Sequence, residues 1–140
     1  MKAVLYIDGA SRGNPGPAAI GAVAYGEQDE KLFEISEAIG EATNNAAEYA
    51  ALIAGMGAAL ERGVKHLVVR SDSQLLVRQM RGEYKVKSAS LRPMISTAML
   101  VAACFTLIEF VEIPRSENKE ADKLANQAFA SDGNEQLTLS

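Results

Sequence analysis

The sequence predicts a single α/β domain with a mixed five-stranded sheet flanked by helices. Three short β-forming runs open the chain with no helix between them, the pattern of an antiparallel meander. Alanine- and leucine-rich helical stretches then alternate with two more apolar runs, which implies right-handed crossovers and parallel pairing. The chain has 140 residues, 48% of them hydrophobic, enough for one core, and shows no repeat or second domain.

Residues 2–7 form the first apolar run, ending at Asp8-Gly9. Residues 9–17 are dense in glycine, asparagine and proline and read as a loop. Residues 19–25 and 33–39 read as two strands of a hairpin. Residues 46–60 then turn helical, with Asn44 or Asn45 as N-cap and Gly63 as the stop. Residues 66–70 are a fourth strand, and 73–80 a short helix ended near Gly82. After a polar connection, 91–103 resume as helix, with Pro93 tolerated in the first turn. Residues 106–113 make the fifth strand, closed by Pro114, and 118–129 the last helix. The order is βββαβααβα, with strands 1–3 antiparallel and strands 4–5 parallel to strand 1. The domain is expected to occupy residues 1–130, and 131–140 to form a polar tail that frays.

A net charge of −4 argues against a generic basic nucleic-acid binder, although acids grouped at a metal site lower the charge without making the whole surface repulsive. The single cysteine, Cys104, excludes an internal disulfide and reads as a small buried thiol in a reducing compartment. No apolar run approaches the ~20 residues that span a bilayer, and the amino terminus reads as strand, not as a signal peptide. The expectation is a soluble cytoplasmic protein with no membrane partner.

Four carboxylates carry the chemistry. Asp8 and Asp72 each follow a strand, so parallel first and fourth strands would release both at one carboxyl edge of the sheet. Either alone is also an ordinary turn aspartate. Glu48 stands three residues after Asn45, the spacing of a capping box. A helical wheel nevertheless places it with Leu52, Gly55 and Ala59, the stripe expected to press on the sheet. Asp122 begins the last helix, where the dipole alone favours an acid. Gathered together, the four repel one another unless a cation sits among them.

The segments around these acids carry a resemblance. Tyr-Ile-Asp-Gly-Ala-Ser-Arg-Gly-Asn-Pro-Gly-Pro, Thr-Asn-Asn-Ala-Ala-Glu-Tyr-Ala-Ala-Leu, Ser-Asp-Ser-Gln-Leu-Leu-Val and Asn-Lys-Glu-Ala-Asp-Lys-Leu-Ala occur in the order found in type 1 ribonuclease H. The chain resembles that family from about Val4 to Phe129. The resemblance implies the ribonuclease H-like fold and endonucleolytic cleavage of the RNA strand in RNA–DNA hybrids, leaving 5′-phosphate and 3′-hydroxyl ends. It implies two Mg2+ ions, or Mn2+, held by Asp8, Glu48, Asp72 and Asp122, with Asp8 bridging. All-oxygen ligation suits those hard cations, whereas one His and one Cys cannot build a typical zinc site. By the same resemblance Asn14, Asn44, Asn45 and Gln74 contact the minor groove and Thr43 a DNA phosphate. A monomer is expected.

Two departures from the best-known bacterial pattern point to an archaeal-like form. Arg115 occupies the region of a loop histidine; arginine cannot serve as a base near neutral pH but can contact phosphate or displace an ion. The basic, tryptophan-containing protrusion is missing, leaving Lys85, Lys87 and Arg92 to supply part of its charge. Two other readings compete: a hybrid-binding module that lost turnover, and an integrase- or resolvase-like nuclease on the same fold.

Overall fold

A computed structural model describes residues 1–139, with side chains described through Phe129. Five strands, β1 (Lys2–Ser11), β2 (Gly16–Tyr25), β3 (Lys31–Ala42), β4 (His66–Ser71) and β5 (Leu107–Glu112), form one sheet in the order β3-β2-β1-β4-β5. Four helices, α1 (Asn44–Glu61), α2 (Gln74–Met80), α3 (Arg92–Ala102) and α4 (Lys119–Leu139), complete the predicted βββαβααβα order. β1, β2 and β3 pair antiparallel, while β4 runs parallel to β1, and β5 to β4. Among the described residues, no helix is long and apolar enough to cross a membrane.

The principal core fills one face of the sheet. Leu5, Leu67 and Val69 meet Leu52 and Met56 of α1 and Ile95 of α3 there, all nearly or fully buried. A smaller cluster of Ala19, Ala128 and Phe129 lies under α4. Two glycines set how closely the helices approach. A Cβ on Gly9 would overlap the Ala47 carbonyl of α1, and one on Gly21 would overlap the Ala121 carbonyl of α4. Gly9 thus faces α1 and Gly21 faces α4. Gly55 similarly admits Leu5 against α1, as the close packing expected of that helix requires.

The structure moves several predicted boundaries. β1 and β2 continue past their apolar runs, pairing as far as Ser11 and Ala18, so the expected 9–17 loop shrinks to residues 12–15. The ladder needs only backbone groups, and glycines and small polar residues supply them as well as valines do. α1 is capped by Thr43, not by Asn44 or Asn45; the Thr43 hydroxyl accepts from the Ala46 N–H at 3.1 Å. A 3-10 turn over Arg115–Glu117 precedes α4, which runs on to Leu139 through the segment expected to fray. Ser140 and the side chains of the tail lie outside the described residues. Cys104 is exposed, contrary to expectation, in the turn that follows α3.

Candidate metal centre

β1 outruns its parallel partner. The β1–β4 pairing ends at Tyr6 opposite Arg70, whereas β1 goes on through Asp8, which pairs with Gly21 of β2. Side chains alternate across a strand. Asp8 therefore shares the α4 face with Gly21, while Ile7 and Gly9 look toward α1. Were β4 longer, the sheet would separate acids carried by α1 from acids carried by α4. Its end leaves a gap in which the two faces meet.

Glu48 reaches the gap from α1, and its Oε1 accepts from the Gly9 N–H at 3.3 Å. With Thr43 as cap, Glu48 lies beyond the first turn, and the capping-box reading falls. Asp72 enters directly after β4. One carboxylate oxygen each from Asp8, Glu48 and Asp72 lie within 4.8 Å of one another. Asp122 stands in the first turn of α4, outside that trio, and its charge bears on Asp8. Three of the four predicted acids meet within 4.8 Å, and Asp122 adjoins Asp8 from α4.

The electrostatic cost shows in their protonation. Burial, then repulsion from Asp72 and Asp122, pushes the Asp8 carboxyl up to about 7. Burial, then the charge of Asp8, pushes Glu48 up to about 9, against the opposing pull of the Gly9 N–H. Glu48 Oε2 is buried without a hydrogen-bond partner among the described residues. An orphaned carboxylate oxygen beside two further acids is a donor set suited to a hard divalent cation, which would supply the missing contact and the missing positive charge.

The other expected residues surround this centre in different ways. Arg115 sits in the 3-10 turn, 87% exposed, with its Nε 3.9 Å from Asp72 Oδ2. Asn14 and Asn44 fasten the β1–β2 turn to α1: Asn14 Oδ1 accepts from the Asn44 N–H at 3.0 Å, and Asn44 Oδ1 from the Ser11 N–H at 2.8 Å. Gln74 is exposed at the start of α2, after the Ser73 cap. His66 pairs with Glu109 at 3.2 Å, away from the acids, as its structural reading requires. Sequence reasoning missed Asn118, which is 1% exposed and donates from Nδ2 to the Ile7 carbonyl at 2.8 Å. Its only sequence signal was its place at the head of the Asp122 segment.

A family model described as reverse transcriptase-like matches residues 6–128. The bifunctional protein Rv2228c of Mycobacterium tuberculosis is 46% identical over 130 residues, which cover 92% of this chain and 36% of that protein. Ribonuclease HI of Halobacterium salinarum is 42% identical over 124 residues, 89% of this chain and 62% of its own. The chain thus spans about a third of the mycobacterial relative and under two thirds of the haloarchaeal one. The crystal structure of RNase H1 from Halobacterium salinarum superposes with a TM-score of 0.91 at 40% identity, covering 94% of this chain and 99% of that one.

The chain belongs to the ribonuclease H family.

LC11-RNase H1, solved in complex with an RNA/DNA hybrid, is a further ribonuclease H relative: TM-score 0.86, 41% identity, covering 92% of this chain and 97% of that one. In the present ribonuclease H chain, the link from α2 to α3 is a bare loop. With Asn45, Leu75 and Gln79, its residues Tyr84, Lys85 and Lys87 line an open cavity of about 500 Å³. Tyr84 is 41% exposed, and the Arg78 guanidinium lies over its ring at 5.4 Å. Asn45 stands about one helical turn before Glu48 on α1.

Proposed function

We propose that the chain is an endonuclease that hydrolyses the RNA strand of RNA–DNA hybrids, leaving 5′-phosphate and 3′-hydroxyl ends. Asp8, Glu48, Asp72 and Asp122 would hold two Mg2+ ions, with Mn2+ as a substitute. The observation that carries this reading is the meeting of three carboxylates from separate elements within 4.8 Å, around a buried oxygen with no partner. A module that only binds has no use for groups held so far from their ordinary protonation. Bound there, the cations supply the charge and Lewis acidity for in-line displacement at phosphorus.

The chain's own residues orient the substrate. Asp8, next to Glu48 and Asp72 and under the charge of Asp122, would be the acid shared between the two ions. The NH2 groups of Asn14 and Asn44, with Asn45 and Gln74, face acceptors of the minor groove, where 2′-hydroxyls mark the RNA strand. Thr43 accepts from the Ala46 N–H and keeps its own proton to donate to a DNA phosphate. Arg115, exposed beside Asp72, contacts the phosphate leaving the site. The hybrid bound to LC11-RNase H1 supports the substrate class. One chain supplies all four acids, so the reading needs no second copy and is that of a monomer, acting in the cytoplasm.

The test is cleavage of an end-labelled RNA–DNA hybrid with Mg2+, beside double-stranded RNA and DNA. Cuts confined to the RNA of the hybrid are expected. Binding without cutting would favour the inactive-module reading, and cutting of DNA alone the integrase-like one.

A further inference from the structure

Within a strand, residues two apart present their backbone groups to the same side. The Gly9 N–H and the Ile7 carbonyl therefore both point to the edge that β4 abandons after Tyr6–Arg70. Each is met there by a side chain instead of a strand. Glu48 of α1 takes the Gly9 N–H, and Asn118 takes the Ile7 carbonyl through Nδ2 at 2.8 Å. Asp8 lies between the two. Asn118 also precedes α4, and its own carbonyl accepts from the Asp122 N–H at 3.2 Å. Its N–H donates to the Arg115 carbonyl at 3.0 Å. One buried residue thus touches the backbone beside Asp8, the backbone of Asp122 and the turn that carries Arg115.

The geometry points to Asn118 as a positioning residue that sets the spacing between Asp8 and Asp122 for divalent cations. Resting on the metal-dependent reading above, it assigns to Asn118 no contact with substrate or ion. Its side chain replaces the absent ladder hydrogen bond on β1, so that β1 and α4 are held at one fixed separation. Without that bond the head of α4, which carries Asp122, is no longer tied to β1 beside Asp8, while β1 itself stays paired with β2.

The test compares Asn118→Ala and Asn118→Ser with the unaltered chain. Serine keeps a small polar side chain at the head of α4 but is too short to reach the Ile7 carbonyl. Ala128→Gly, on the buried side of α4 away from the acids, serves as a control that lowers stability without touching the clamp. Mn2+ affinity is read by calorimetry, and the Mg2+ concentration for half-maximal cleavage alongside KM for hybrid. Both Asn118 variants are expected to weaken Mn2+ binding and raise the Mg2+ requirement about tenfold, with KM for hybrid nearly unchanged. Ala128→Gly should leave the metal requirement where it was. Unchanged Mn2+ affinity in folded Asn118→Ser, or an equal shift in Ala128→Gly, would overturn the positioning role alone. An unaltered chain that binds no Mn2+ would overturn the ribonuclease reading together with it.

Discussion

Asp8 joins the two halves of the site, and its substitution separates charge from shape. Asp8→Asn keeps the outline of the side chain and removes one of the crowded charges. Hybrid cleavage with Mg2+ should fall at least a thousandfold, as on-site electrostatic losses of about 4 kcal/mol do. The same variant should melt higher than the parent in metal-free buffer at pH 8, because it relieves repulsion among neighbouring acids. Full activity in Asp8→Asn would sink the two-cation assignment. Tyr84 belongs to the same scale. If a base of the hybrid stacks on its ring beside Lys85 and Lys87, Tyr84→Ala should weaken hybrid binding by about 1–3 kcal/mol, read by fluorescence anisotropy. Identical affinities would remove the loop from the substrate path.

Elements decide where those side chains arrive. Gly9→Ala places a methyl inside the Ala47 carbonyl, so α1 must withdraw from β1 and carry Glu48 with it. A loss of roughly 1–3 kcal/mol in urea unfolding is expected, with a clear drop in cleavage by the molecules that remain folded. Thr43→Ala removes the α1 cap and should cost about 1 kcal/mol of stability. A Gly9 variant milder than the Thr43 variant would show that the helix can move at little cost.

The comparison also explains what the sequence could reveal. Strand and helix order were legible because each element carries its own period, and the four acids because each ends or begins such an element. Thr43 lost to Asn44 and Asn45 because all three are good caps, and only the chain's path selects among them. The continuation of β1 through Asp8 was hidden because Gly9 and Ser11 carry no apolar signal. Asn118 was hidden for a different reason: its partner, Ile7, lies at the opposite end of the chain. The length of β4 relative to β1, which creates the gap, is a tertiary fact with no local trace.

Over the whole molecule, the acid cluster makes stability depend on pH in an unusual direction. Asp8 rises from an ordinary 3.8 to about 7, and Glu48 from 4.5 to about 9. The folded chain thus holds protons that the unfolded chain releases, and stability falls as pH climbs through that interval. Glu120, lowered first by its bond to Lys31 and then by Tyr25, has completed its contribution below it. Melting in EDTA should therefore be lower at pH 8.5 than at pH 5.5, and millimolar Mg2+ should narrow the difference by binding the native state. Calorimetric scans at the two pH values check this, and a higher midpoint in EDTA at pH 8.5 would contradict it.

The acids come from β1, α1, the end of β4 and α4, so no short stretch of chain contains the site. During synthesis Asp8 leaves the ribosome first and Asp122 last, with nearly the whole domain between them. A nascent chain halted before α4 would carry three acids and no clamp on β1. On the proposed reading a chain without α4 lacks one of the four acids, so the donor set is complete only when β1 and α4 are both in place.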